Sequence, residues 1–449
     1  MYYVLRKMPT VVDSQWEANF CSAIVKYMEE IIALVKPTKG TYVSCDGVVC
    51  AAKRKQQRLR RFKGPWATEM EQRVTGIRTE GWDQTALTPG SAFMARLGSA
   101  LSDTGKKGVH VSTAAEPGEG EHKLLAWMRR EKPATCVIYG LDADLILLSM
   151  LLNADTGASV HLLREAQEFE KSRSGWRMLD VGALATAMIP ACTEHRIRDF
   201  VASMTLLGND FLPRSLTRTV RDDGIPNLIG TLSHIWANGL CVVRDGCLRK
   251  EGLLAILESW AATEEADLKQ AGITAKTAYR FPGIGKTPAE TALNEWNAQP
   301  ARWATAKLLD SPNRRAIYEG WHPGSPANYL QGVAWTWDYY SGRPVDQAWC
   351  FEEHLPPLWS DIAAYLREHT LSAPRIVYPT PLPDWLHLLA VLPAASLERL
   401  ATPRAKRIMA ALPWYWPTSW SIFDVGRTQL WECEPVIPII PETVLRAQM

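Results

Sequence analysis

The sequence predicts an α/β protein built around a mostly parallel sheet, and three observations carry that prediction. Short apolar strands alternate with amphipathic helices through the first half of the chain. The strands run out onto acidic residues, at the edge where open α/β sheets place their ligands. The 449 residues are 47% hydrophobic and 22% charged, which supplies a large core and excludes a mostly disordered chain. At roughly 150 residues per domain, this length allows about three domains or one elaborated body.

Taken in order, the elements justify that class. Residues 16–35 place Trp16, Phe20, Ile24, Met28, Ile31, Ile32 and Val35 on one helical stripe, closed by Pro37 and Gly40. TYVSCD (41–46) predicts a short buried strand ending on Asp46. The basic stretch 51–62 lacks Pro and Gly and predicts a helix, while 65–90 carries turn signals, ending in Thr88-Pro89-Gly90. A strand at Val109–Ser112, a turn at Pro117-Gly118 and a helix from Glu119 to Arg130 follow. A stronger strand, Cys136–Leu141, ends at Asp142. Residues 180–225 predict helices interrupted at Gly208-Asn209-Asp210. From 226 to 325 the patterning weakens and carries no chemistry, with a turn at Phe281-Pro282-Gly283. Residues 326–449 are aromatic and Pro-rich, with helices expected at 328–340, 357–368 and 384–390. Trp335 and Trp337 should face different sides of the first of these; with Trp349 they read first as core, Trp349 being alternatively a candidate for lining a ligand path.

Composition narrows the function classes. Fifty basic against forty-eight acidic residues give a net charge of +2, so any nucleic-acid contact must come from local clustering. Such a cluster exists, since seven of the eleven residues Lys53–Lys63 are Lys or Arg. Nine scattered cysteines with no CxxC pair predict a reduced, intracellular protein without a zinc site. The longest aliphatic stretch, around Leu145–Leu152, is far short of the roughly 20 residues of a membrane helix. The opening MYYVLRKMPT has no apolar core of a signal peptide.

The chemistry concentrates in six carboxylates. Asp46 ends a strand, and Asp142 and Asp144 follow another, two residues apart. Glu119 and Glu121 sit in Gly118-Glu-Gly-Glu121 at a helix start, and Asp210 lies in Gly-Asn-Asp-Phe. Six converging carboxylates would repel one another unless cations intervene. An oxygen-only donor set suits Mg²⁺ or Mn²⁺. Lys53, Gln57, Arg60 and Arg61 stand at i, i+4, i+7 and i+8 on one helical face, three cations and an amide able to surround a terminal phosphate.

Together these motifs resemble the 5′→3′ exoribonuclease (XRN) family. DGVVCAAKRKQQRLRRF (46–62), LTPGSAFM (87–94), EPGEGEHK (116–123), IYGLDADLILL (138–148), LLRE (162–165) and LLGNDFLP (206–213) run in the family's order. So do NYLQGVAWTWDYY (328–340), QAWCFEEHLPPLWSDI (347–362), LLAVLPAAS (388–396) and IFDVGRTQLWECEPVIPII (422–440) of its second conserved region. The resemblance implies a PIN/FEN-like nuclease core at 1–225 lacking the usual opening strand, a variable connecting region at 226–325, and a helical, aromatic-rich second conserved region at 326–449 packed on the core. It implies two divalent ions, Mg²⁺ or Mn²⁺, held by Asp46, Glu119, Glu121, Asp142, Asp144 and Asp210. It assigns the 5′-phosphate to Lys53, Gln57, Arg60 and Arg61. The implied partner is single-stranded RNA with a 5′-monophosphate, hydrolysed to mononucleotides, with no membrane and with the cytoplasm favoured over the nucleus. The family's first acid, in an Asp-x-Asn context, and its base-stacking histidine have no counterpart here, as in a compact or N-terminally truncated member. A catalytically inactive RNA-binding or scaffold protein on the same fold is the alternative reading.

Overall fold

The computed structural model describes residues 1–9, 11–77, 81–140, 142–166, 175–221, 223–277, 283–298, 302–427 and 429–449. It is a mixed α/β molecule, mostly helical, with small sheets. β1 (Thr41–Ser44) pairs in parallel with β2 (Val109–Ser112), Thr41 opposite Val109. β3 (Thr135–Tyr139) pairs in parallel with β4 (Ser159–Glu165), which pairs antiparallel with β5 (Trp176–Asp180). The expected single parallel sheet is therefore two small pieces among the described residues, parallel at the two pairs that lead into the acidic motifs. Two further short hairpin-like pairs, β6 (Val243–Arg244) with β7 (Cys247–Leu248) and β8 (Ser421–Phe423) with β9 (Glu434–Val436), lie outside these sheets.

The predicted strands and the helix Trp16–Val35 fall where the periodicity puts them. Leu141, the expected end of β3, lies outside the described residues, as do Phe281 and Pro282 of the expected turn. The basic helix runs further than predicted, from Ala51 to Thr75, straight through Gly64 and Pro65. Proline removes one helical hydrogen bond, but packing overrides that cost here. The helices Pro288–Ala298 and Asp384–Val391 both pack against this helix, and the rings of Trp66 and Trp296 meet at 6.1 Å.

The stretch 226–325 is a run of helices, opening with Gly224–Ala237 and Lys250–Ala261. Leu228, Leu232 and Ile235, then Leu253, Ile256, Leu257 and Trp260, are buried at helical spacing. The main core joins them to β3, β4, the helix Asp144–Thr156 and the aromatic helix Pro326–Tyr340. Ser325 caps that last helix by accepting the Asn328 amide, with proline at its first position. All nine cysteines are unpaired, and among the described residues no helix is long and apolar enough to cross a membrane.

Candidate active site

Three chain turns bring the carboxylates together. The first pairs the end of β1 with the start of the helix Gly120–Glu131. Asp46 Oδ1 accepts the Gly120 amide at 2.8 Å, and Ser44 Oγ donates to the Gly120 carbonyl at 2.7 Å. Glycine is required on one side of this seam and closely fitted on the other. A Cβ on Gly47 would lie 1.8 Å from the Glu116 carbonyl oxygen, and one on Gly120 would lie 3.2 Å from that of Ser44. Glu119 precedes the helix and Glu121 sits in its first turn, where the helix dipole favours negative charge.

The second turn follows β3, where the Asp144 amide donates to Asp142 Oδ1 at 3.2 Å and opens the helix Asp144–Thr156. The third is Gly208-Asn209-Asp210. Gly208 has φ +91°, and a Cβ there would approach the Arg214 Cα to 2.6 Å. Asn209 Oδ1 accepts the Phe211 and Leu212 amides, each at 2.9 Å, and so fixes the turn that presents Asp210.

Lys53, in the first turn of the basic helix, lies between the acids. Its ammonium pairs with Glu119 Oε2 and donates to Asp210 Oδ2 at 2.6 Å. Gln56, three residues on, donates to Asp210 Oδ1 at 3.1 Å. Tyr339, from the aromatic helix, donates to Glu119 Oε1 at 2.7 Å. Gln56 could have been suspected from its i+3 spacing to Lys53; nothing near Tyr339 in the sequence announces its contact with a residue 220 positions away.

The charges fall into two groups. Burial alone would lower the proton affinity of Lys53, but Glu119 and Asp210 override it and hold the ammonium far above its ordinary range. Burial raises the Glu119 carboxyl, opposed by Lys53 and the Tyr339 hydroxyl. Glu121 and Asp144 lack such a partner. Burial, then the neighbouring Glu119, Asp142 and Asp144, push Glu121 up to about 9; burial, then Asp210 and Asp142, push Asp144 up to about 7. His122 is driven down to about 3 by burial and by the nearby Lys53 and Arg129 cations, so it is neutral at pH 7.

A divalent cation suits this donor set chemically. The donors are all carboxylate oxygens, and Glu121 and Asp144, both pushed towards protonation, have no direct ion pair with a cation among the described residues. Among the described residues, no three ligating side chains meet at a single point as they stand, and Lys53 lies between Glu119 and Asp210.

The four residues expected around a phosphate share the basic helix but not one environment. Lys53 belongs to the acidic centre. Gln57 is buried, with no partner for its Oε1 among the described residues. Arg60 is exposed. Arg61 is buried and donates to the Gln84 and Leu87 carbonyls at 3.2 and 3.0 Å, tying the LTPG turn to the helix. Trp349 follows the first of its two readings: it is core and does not line an open path. It is buried against Trp335 at 5.1 Å, and its indole donates to Asn328 Oδ1 at 3.3 Å. Trp335 and Trp337 do face different sides, donating to the Asp346 and Gly246 carbonyls.

Comparison with known proteins accords with this geometry. The model described as the XRN 5′-3′ exonuclease N-terminus matches residues 5–166, which hold five of the six carboxylates. The human 5′-3′ exoribonuclease 1 is 27% identical over 531 aligned positions, covering 95% of this chain and 30% of that protein. The 5′-3′ exoribonuclease 2 of Candida albicans is 30% identical over 49% of this chain and 29% of its own length. That of Yarrowia lipolytica is 27% identical over 56% of this chain and 31% of its own. The chain thus spans about a third of the length of the curated relatives it matches. A family model over the first carboxylate turns, and a relative aligned along nearly the whole chain, lead to one conclusion: the chain belongs to the XRN 5′-3′ exonuclease family.

Proposed function

We propose that this protein is a divalent-metal-dependent 5′→3′ exoribonuclease that hydrolyses 5′-monophosphorylated RNA to nucleoside monophosphates. What supports the reading is that Glu119 and Asp210 share Lys53, with Asp142 and Asp144 close enough to raise the Glu121 carboxyl and Asp46 held at the Gly120 amide beside Glu119. Two Mg²⁺ or Mn²⁺ ions, when bound, would supply an activated water and neutralise the leaving oxygen. Glu121, Asp142 and Asp144 are the side chains best suited to hold one, because their charge is otherwise uncompensated. Asp46, Glu119 and Asp210 complete the set, with Lys53 holding two of them in register. Arg60, on the outer face of the basic helix, is free to meet the terminal phosphate, and Lys53, Gln57 and Arg61 lie along the same helix behind it. Fixing the 5′ end there sets the register for cutting one nucleotide in.

A second reading, RNA binding without catalysis, has one observation in its favour: Lys53 already neutralises Glu119 and Asp210 without any metal. One assay separates the two. Matched RNAs bearing 5′-monophosphate, 5′-hydroxyl and 5′-triphosphate ends are incubated with the protein and Mg²⁺ or Mn²⁺. The nuclease reading expects mononucleotide release that is fastest from the monophosphate and is lost with EDTA. Binding of all three RNAs without release of mononucleotides would leave the non-catalytic reading standing.

A further inference from the structure

The structure assigns to Tyr339, in the second half of the chain, the role of a positioning residue that fixes the Glu119 carboxylate for metal binding; this rests on the reading of Glu119 as a metal-site acid. The phenol donates to Glu119 Oε1 at 2.7 Å while Lys53 takes Oε2, so each carboxylate oxygen is held by a different element. A buried carboxylate held at one oxygen can still rotate about its last torsion; held at both, it cannot. The tyrosine itself is clamped. Its ring stacks on Trp335 at 5.0 Å and 17°, meets Phe211 edge-on at 5.3 Å and lies 4.1 Å from the His122 ring. Two of those contacts, Phe211 and His122, come from motifs that carry site acids, so the hydroxyl is aimed rather than merely near.

Hydrogen bonds to metal-ligating side chains set their orientation and basicity, and their loss typically costs about 10–100-fold in metal affinity. The neighbouring Tyr340 provides an internal control. It is the more buried of the two in the same helix, but its hydroxyl has no hydrogen-bond partner among the described residues. A structural role would make the two hydroxyls equivalent; a positioning role would not.

The experiment is Mn²⁺ titration by calorimetry on the RNA-free protein, with the melting temperature recorded for each variant. Wild type, Tyr339→Phe, Tyr340→Phe and Glu119→Gln are compared. Tyr339→Phe is expected to weaken Mn²⁺ binding about tenfold or more, with Tyr340→Phe at the wild-type value and Glu119→Gln weaker than either. Equal Mn²⁺ affinity for wild type and Tyr339→Phe, with Glu119→Gln impaired, overturns the positioning role and leaves the metal reading intact. Failure of the wild type itself to bind Mn²⁺, or of Glu119→Gln to alter binding, overturns the metal reading and this inference with it. Should Tyr339→Phe not fold, 3-fluorotyrosine at position 339 keeps the ring and hydroxyl and changes only the donor strength. An altered Mn²⁺ affinity at unchanged melting temperature then supports the role, and an unaltered one overturns it.

Discussion

Asp144 and Glu121 show what it costs to collect acids in a confined site. Each is driven towards protonation by burial and by its like-charged neighbours. Removing that charge relieves the folded state while deleting the chemistry. Asp144→Asn and Glu121→Gln should therefore abolish RNA hydrolysis yet stabilise the metal-free protein by about 1 kcal/mol. Urea unfolding in EDTA, beside an RNA decay assay, measures both effects. Lys53 behaves in the opposite sense. Lys53→Met leaves Glu119, only 3% exposed, without its cation, and breaking a buried pair of this kind costs about 3–5 kcal/mol. A midpoint shift below 1 kcal/mol in the same urea experiment would contradict that account. The six acids stand out in the sequence as a candidate set because they follow strand ends or glycine-containing turns. The place of Lys53 does not, since residue spacing puts it on a basic face and says nothing of what that face meets.

The basic helix Ala51–Thr75 is the element on which most of the molecule converges. Beyond Lys53 and Gln56 at the acids, Arg58 donates to the Pro438 and Ala390 carbonyls at 3.0 and 2.8 Å and to that of Tyr415. Arg54 pairs with Glu442, and Lys63 donates to the Cys433 carbonyl at 2.9 Å. Most of its cations are thus structural, which the run KRKQQRLRRFK could not disclose. Its length was missed for a related reason. Gly64 and Pro65 are local stop signals, and only the packing of two distant helices carries the chain past them. The division of labour within the helix is testable. Arg60→Ala should erode the preference for 5′-monophosphate ends and leave stability unchanged. Arg61→Ala should cost about 1–3 kcal/mol, because the buried Leu87 carbonyl loses its guanidinium donor. Decay rates on the three RNA ends, paired with thermal melts, separate the two effects.

At the scale of the whole molecule, the strand–helix alternation of the first half was legible, while the helical run 226–325 was not. Its buried leucines follow helical spacing, but short helices with few capping signals blur into one another in sequence. The acidic centre also gives the molecule a pH dependence whose sign can be worked out. A carboxyl whose proton affinity rises on folding keeps protons that the unfolded chain has released, so stability falls as pH rises. With Asp144 at about 7 and Glu121 at about 9, metal-free protein should lose stability progressively from roughly pH 4 to pH 9. Mg²⁺ or Mn²⁺ should restore it most at the alkaline end, where the carboxylates are ionised and the ions bind. Melting curves across that range, with EDTA and with metal, check the slope and its reversal.

The pairing of Arg54 with Glu442 has a consequence for how the protein is born. Those residues are 388 positions apart. At about 5–20 residues per second, a ribosome delivers Glu442 about 20 s or more after Arg54. During that interval the helix that carries Lys53 lacks its Glu442 and Pro438 partners, and for most of it Tyr339 has not yet been made. A nuclease assembled in this order would stay unfinished while its own message is still being read.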